Sequence, residues 1–158
     1  GGDVRVTGLE PSSTQGDRVC AGLLERLRAP GAEIDLSNCP DLGPVLFAAA
    51  AAGQGGVFTG TRRLRIKESD RAQAMAEELG KLGVRVLVEE NRVEVLPGGL
   101  HAPSGELDSH NDHRIVMAAA ALLSRTGGVL NGAEAIRKSF PSYFETLRRL
   151  GLEVHDGF

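Results

Sequence analysis

Gly55-Gly56-Val57-Phe58-Thr59-Gly60 decides the fold, because its pattern returns at Gly127-Gly128-Val129-Leu130-Asn131-Gly132 and, more loosely, at Gly1-Gly2-Asp3-Val4-Arg5-Val6-Thr7-Gly8. Each is a short β-prone run bounded by glycines, and a run that recurs along a chain points to internal duplication. Each leads on to apolar positions at helical spacing: Cys20, Leu23, Leu24 and Leu27, then Ala72, Met75, Leu79 and Leu82, then Tyr143, Phe144, Leu147 and Leu150. The helices end alike. Leu82-Gly83-Val84-Arg85-Val86 and Leu150-Gly151-Leu152-Glu153-Val154 place Gly where a left-handed terminus wants it and then begin an alternating strand; Leu27 to Gly31-Ala32-Glu33-Ile34 is a looser version.

The second and third copies follow near-continuous apolar stretches, Val45 to Ala52 and Ile115 to Leu123, which as Ala-rich helices need burial on most sides. The first copy has no such helix before it, which suggests that the chain begins inside a repeat. Asp112 lies 30 positions after Leu82, whereas Asp41 lies only 14 after Leu27. The difference is a hairpin, visible in the second copy as Val84 to Val88, a polar turn around Asn91, and Val93-Glu94-Val95. Either the first copy has lost its hairpin or residues are missing near Ala29-Pro30. The expected architecture is α/β: repeated βαβαββ-type units at approximately 1–34, 35–96 and 108–156, with Ala-rich helices inside, sheets outside and an incomplete first repeat. A purely structural repeat protein that binds a partner through one face is an alternative that such architecture leaves open.

A chain of 158 residues with 41% apolar character buries one core, not two, so residues 1–158 are read as a single domain. With 18 basic and 21 acidic side chains the net charge is -3, which argues against a general nucleic-acid binder. No apolar run approaches the ~20 residues that span a bilayer, and the first residues carry no secretion signal, so no membrane association and a cytoplasmic location are expected. Cys20 and Cys39 form no CxxC pair and give no zinc spacing with four scattered histidines; they read as reduced structural thiols, and no metal is expected. Aromatics at 4% with no Trp argue against stacking platforms.

Charge gathers at helix entrances, where free backbone N–H groups and the helix dipole favour anions. Pro40-Asp41-Leu42-Gly43-Pro44 reads most simply as an Asp cap with Pro in the first turn. Arg62 to Arg71 holds five cations and two carboxylates around one strand-to-helix turn. On a strand, Arg63, Arg65 and Lys67 would share a face toward a phosphate or carboxylate; a salt-bridged helix start capped by Ser69 or Asp70 is the equal alternative. In Ser109-His110-Asn111-Asp112-His113-Arg114, a cap by Asn111 or Asp112 leaves Arg114 in a first turn that disfavours cations, a conflict that a bound anion or paired carboxylate removes. His113 by itself reads as a packing residue. Arg137-Lys138 precedes Pro141 and the last of the expected helices; its plain reading is an exposed loop.

Lys67-Glu68-Ser69-Asp70-Arg71, Asn111-Asp112-His113-Arg114 and Lys138-Ser139-Phe140-Pro141-Ser142-Tyr143-Phe144 resemble, in this order, three signatures of the enolpyruvylshikimate-phosphate synthase family; Ser13-Thr14-Gln15-Gly16-Asp17 and Pro40-Asp41 fit its pattern too. The sister family acting on UDP-N-acetylglucosamine shares the repeated fold, but Asn-Asp-His-Arg points to the shikimate branch. The resemblance implies the carboxy-terminal lobe of a two-lobe enolpyruvyl transferase and a metal-free, cofactor-free addition and elimination between phosphoenolpyruvate and shikimate 3-phosphate. Asp41 would take the acceptor hydroxyl proton, Lys67 would contact the shikimate moiety and move a proton, and Glu68 would assist proton transfer at C3. Arg71, Arg114 and Lys138 would grip phosphoenolpyruvate. Arg63 departs from an Asn that touches shikimate phosphate in some relatives. The family's amino-terminal lobe, with its own phosphate-binding signatures, does not occur in this chain, so turnover by this chain alone is not expected. A non-catalytic anion-binding module and a transferase with another acceptor are the alternatives.

Overall fold

The computed structural model describes residues 7, 8, 10 and 12–155. The strand expected at the start of the chain falls mainly on residues 1–6, outside the described residues. Strands β1 (Glu33–Asp35), β2 (Gly56–Thr59), β3 (Val86–Val88) and β4 (Arg92–Val95) form a sheet of order β1-β2-β4-β3. β1 and β2 run parallel, and β4 is antiparallel to both of its neighbours. In register, Ile34 faces Phe58 and Phe58 faces Val93. These three and Val95 are buried, so one face of the pleat is apolar.

That face is covered by helices. A parallel pair needs a crossover, and helix α2 (Gly43–Ala51) supplies it between β1 and β2. Seven of its nine residues are buried, as its unbroken apolar sequence demands. The Phe47 ring meets Phe58 of β2 edge to face at 4.8 Å, fastening helix to sheet by about 0.5–1.5 kcal/mol beyond area burial. Helices α3 (Arg71–Lys81) and α4 (His113–Thr126) pack beside α2 with Ala72, Ala74, Met75 and Leu79, and with Ile115, Ala118, Ala119 and Leu122. Alanines at these contacts let the backbones approach closely. Helix α1 (Cys20–Arg26) borders the core through Cys20, Leu23 and Leu27. Among the described residues no helix is long and apolar enough to cross a membrane.

A second, two-stranded sheet pairs β5 (Leu107–Asp108) in parallel with β6 (Leu130–Asn131). It repeats the first sheet's local design. Leu36 N–H donates to Thr59 O at 2.9 Å, and Ser109 N–H to Asn131 O at 3.0 Å. Gly60 (φ 67) and Gly132 (φ 69) then each open a 3-10 helix, Thr61–Ile66 and Ala133–Lys138. Glycine is required at both. A Cβ on Gly60 would stand 2.3 Å from Ser37 Oγ, and one on Gly132 would stand 2.4 Å from Ser109 Oγ. Helix α5 (Tyr143–Arg149) closes a satellite core of Val116, Ala135 and Ile136, with Tyr143 Oη donating to Met117 O at 3.1 Å.

Three local expectations are corrected. Residues 61–66 are a 3-10 helix, so Arg63, Arg65 and Lys67 share no strand face; the left-handed Gly60 starts a coil that drives Leu64 into the core and turns the arginines outward. Leu152-Glu153-Val154 forms no strand, and among the described residues no strand pairs with it. The strand expected over Gly127 to Gly132 shrinks to two residues, because Gly127 and Gly128 adopt φ values of 70 and 135, outside strand conformation. The helix-ending glycines behave as expected: Gly83 has φ 81, and Val84 N–H reaches back to Leu79 O at 3.0 Å.

Candidate functional site

Three helix entrances meet. Asp41 lies in the 3-10 turn Pro40–Leu42 that runs into α2, Arg71 is the first residue of α3, and Asp112 is the N-cap of α4. Asp41 is therefore not a cap: α2 has no side-chain cap, and the Asp41 carboxylate is turned toward cations from the other two entrances. Asp70 caps α3 by accepting from Gln73 N–H, and Asp112 caps α4 by accepting from Arg114 N–H at 2.9 Å.

Arg71 is the hub. It is 1% exposed, yet its guanidinium is charged, which is tolerable only with carboxylates on its donors. Nε donates to Asp112 Oδ2 at 2.8 Å and Nη2 to Asp112 Oδ1 at 3.3 Å. Nη1 donates to Asp41 Oδ1 at 2.7 Å, and Nη2 also to Glu68 Oε2 at 2.6 Å. Asp112, itself 0% exposed, takes a further bond from Ser69 Oγ at 3.1 Å. Burial alone would lower the Arg71 pKa, but the bonds to Asp112, with Glu68 and Asp41, outweigh it and raise the value above that of an ordinary guanidinium.

Around this buried pair stand accessible groups. Lys67 Nζ is 3.0 Å from Asp41 Oδ1. Arg114 Nη2 is 3.3 Å from Asp41 Oδ2, its Nη1 donates to Asp41 O at 3.2 Å, and Asp17 lies 3.9 Å away. The paired carboxylate resolves the conflict of a cation in the first turn of α4. Asp41, 35% exposed, would have its pKa raised by burial; Lys67, Arg114 and Arg71 overcome this and hold it below the usual carboxylate value. Asp112 is shifted the same way: burial raises it, while Arg71, the Arg114 N–H and Ser69 lower it further.

Asp41, Lys67, Glu68, Arg71 and Arg114 are thus brought into one network. Lys138 stands one step away, its Nζ bonding Asn111 O at 2.8 Å and Asn111 Oδ1 at 2.9 Å, next to Asp112. Arg63 is exposed, and its side chain makes no hydrogen bond or ion pair among the described residues. A recess of about 370 Å³ lies beside the network and not in it, lined by Thr14, Gln15, Arg18, Asp35 and Cys39 among others. Asp41, Lys67, Glu68 and Arg114, the outer members of the ion cluster, remain partly exposed.

The reading of the sequence missed several groups. Asp112 was visible only as a cap, although its second role as the buried anion of Arg71 is the larger one. Asn111 as the receiver of Lys138 and Ser69 as a donor to Asp112 had no signal beyond lying within motifs. Half-buried His113 keeps a buried Nδ1 with no hydrogen-bond partner among the described residues. Glu77, Glu78 and His110 bring three potential metal donors together, but Glu78 is already engaged by Lys81 Nζ at 2.8 Å and Asp108 N–H at 2.9 Å. Cys20 and Cys39 are free thiols, and burial pushes both thiol pKa values up.

Comparison with known proteins gives this geometry a family. The model of EPSP synthase (3-phosphoshikimate 1-carboxyvinyltransferase) matches residues 23–147. The 3-phosphoshikimate 1-carboxyvinyltransferase of Clostridium acetobutylicum is 38% identical over 98% of this chain and 40% of its own length. That of Syntrophobacter fumaroxidans is 39% identical over 95% of this chain and 40% of its own length. An EPSP synthase structure from Acinetobacter baumannii superposes with a TM-score of 0.67 and 35% identity, covering 76% of this chain and 29% of that one. The chain belongs to the EPSP synthase family. It spans about 40% of the length of the curated relatives it matches. The Clostridium alignment runs over 172 positions against 158 residues here, so that relative carries residues within the matched span that this chain lacks.

Proposed function

We propose that this chain is a single domain, the carboxy-terminal lobe of an enolpyruvyl transferase, and supplies one wall of a site that joins phosphoenolpyruvate to shikimate 3-phosphate. The observation that carries the reading is Asp41 held by three cations from two other helix entrances, Lys67 and Arg71 at the start of α3 and Arg114 in the first turn of α4. An amino-terminal lobe supplies the opposite wall, closes the exposed junction and excludes water, which strengthens every charge interaction inside.

In the proposed reaction a hydroxyl oxygen of shikimate 3-phosphate attacks C2 of phosphoenolpyruvate while C3 gains a proton. The tetrahedral adduct then loses the C3 proton and inorganic phosphate, leaving the enol ether. Arg114 and Lys138 grip the phosphoenolpyruvate anion, with Arg71 as the buried charge behind them, and Lys67 contacts the shikimate moiety. Arg63, unpaired among the described residues, is available to the acceptor phosphate. Asp41 receives the hydroxyl proton, and Glu68, beside Arg71, serves the proton movement at C3 together with Lys67. General acid-base help of this kind is worth about 10²–10⁴-fold in rate.

One physical consequence concerns Asp41. Clasped by three cations it is a weak base, its pKa lying below the ordinary carboxylate value despite burial. Substrate anions that draw Lys67 and Arg114 toward themselves loosen that clasp and raise its basicity as the substrates arrive. The deciding experiment mixes this chain with a separately expressed amino-terminal lobe of a relative and follows phosphate release from phosphoenolpyruvate and shikimate 3-phosphate. Release that needs both lobes and falls by about 10²-fold or more in Asp41→Asn supports the reading; no release from the mixture, at lobe concentrations where association is demonstrated, refutes it.

A further inference from the structure

His110 and Asn111 stand consecutively in left-handed backbone, with φ values of 49 and 56. Residues with a Cβ avoid that region and hold it only where the surroundings fix it. Part of the fixing is local: His110 N–H donates to Asp108 Oδ1 at 2.6 Å, Asn111 N–H to Ser109 Oγ at 3.1 Å, and Asp112 N–H to Ser109 O at 2.9 Å. Local bonds shape a turn but do not place it against the rest of the molecule.

The placement comes from α3. Glu78 lies seven residues after Arg71, two helical turns on and on the same face. Both side chains are buried, Glu78 at 2% exposure. Arg71 holds the far end of the turn through Asp112. Glu78 holds the near end: Oε2 accepts from Asp108 N–H at 2.9 Å, and Oε1 lies 2.8 Å from His110 Nε2. An ionised carboxylate can only accept, so that ring nitrogen carries the proton. Lys81 Nζ, 2.8 and 3.0 Å from the two Glu78 oxygens and 3.0 Å from Glu106 O, balances the buried charge. Glu77 Oε2 also lies 4.0 Å from His110 Nε2.

We propose that Glu78 is a positioning residue for the anion site: it clamps the Asp108–Asp112 turn to α3 and so holds Asn111 where it meets Lys138, and Asp112 where it meets Arg71. The proposal rests on the reading that the junction binds phosphoenolpyruvate, but its first test does not. Hydrogen exchange of the chain without ligand is compared between wild type, Glu78→Gln, and Val95→Ala, a core variant in β4 that loosens the fold without touching the turn. In Glu78→Gln the amides of Asp108, Asn111 and Asp112 exchange about tenfold faster or more while those of Phe58 and Val93 keep their wild-type rates, local opening being distinct from global unfolding. Equal acceleration in the turn and the sheet, as Val95→Ala gives, makes Glu78 a merely structural group and overturns the proposal.

The second arm titrates phosphoenolpyruvate. Glu78→Gln weakens it about tenfold, and Val95→Ala leaves it unchanged; wild-type affinity in Glu78→Gln overturns the positioning role. If wild type itself takes up no phosphoenolpyruvate, the functional reading fails, and the exchange comparison still decides whether Glu78 holds the turn. Should Glu78→Gln not fold, His110→Asn carries both arms. Asn tolerates left-handed backbone while removing the ring contact to Glu78, and faster exchange confined to Asn111 and Asp112 is again the expected result.

Discussion

Arg71 and Asp112 form a doubly bonded, fully buried ion pair, Nε to Oδ2 at 2.8 Å and Nη2 to Oδ1 at 3.3 Å, tying the first residue of α3 to the cap of α4. Separated by 41 positions in sequence, they fix the relation between two helix entrances on which the accessible charges Asp41, Lys67 and Arg114 depend. Removing one member leaves the other buried without its partner. Asp112→Ala is therefore expected to cost about 3–5 kcal/mol in urea unfolding. A loss below about 1 kcal/mol would show the pair to be loose in solution.

The same carboxylates set a pH dependence. Asp41 and Asp112 have folded pKa values below the unfolded one, near 3.9 for Asp, so between these values the unfolded chain binds more protons. Their contribution is present above about pH 4 and is lost as pH falls through the folded values. Thermal midpoints should hold steady near neutrality and drop below about pH 4, with a shallower drop in Asp112→Asn, which has one fewer carboxylate to protonate. An identical acid profile in that variant contradicts the assignment.

Two glycines should respond in opposite directions to alanine. Gly60→Ala puts a Cβ 2.3 Å from Ser37 Oγ and 2.7 Å from Ser37 N at positive φ, and should destabilise by about 1–3 kcal/mol. Gly22→Ala, in α1 with nothing within 4 Å of the new atom, should stabilise by about 0.5–1 kcal/mol. Denaturation midpoints at constant m-value check both. A Gly60→Ala protein as stable as wild type would mean that this turn relaxes freely.

Within the core, Phe47→Ala removes the ring that fastens α2 to Phe58 and should cost about 3–5 kcal/mol. Val45→Ala, on the exposed side of the same helix, should stay within about 0.5 kcal/mol. Equal losses would mean that α2 does not pack by the face described.

Much of this was legible in the residues. Helical spacing found α1, α3 and α5, continuous apolar runs found α2 and α4 and marked them as the buried helices, and Gly83 announced the end of α3. Alternating Arg63, Arg65 and Lys67 misled, because alternation of charge is compatible with a strand or a tight coil, and the choice was made by Gly60 packing against Asp35 and Ser37, far away in sequence. Asp41 read as a cap because a cap is what Asp before a helix usually is. Its actual partners, Lys67, Arg71 and Arg114, come from other elements, and only folding reveals such pairing. Glu78 gave no signal at all, since one more Glu on an amphipathic helix is ordinarily solvated.

Uptake of a small phosphorylated carboxylate at the junction of α2, α3 and α4 is tested most directly by calorimetric titration of this chain with phosphoenolpyruvate. Saturable one-to-one binding, weakened about tenfold or more in Arg114→Ala and sensitive to salt, is the predicted result. Equal affinity in wild type and Arg114→Ala, or no binding by the folded chain, would contradict it.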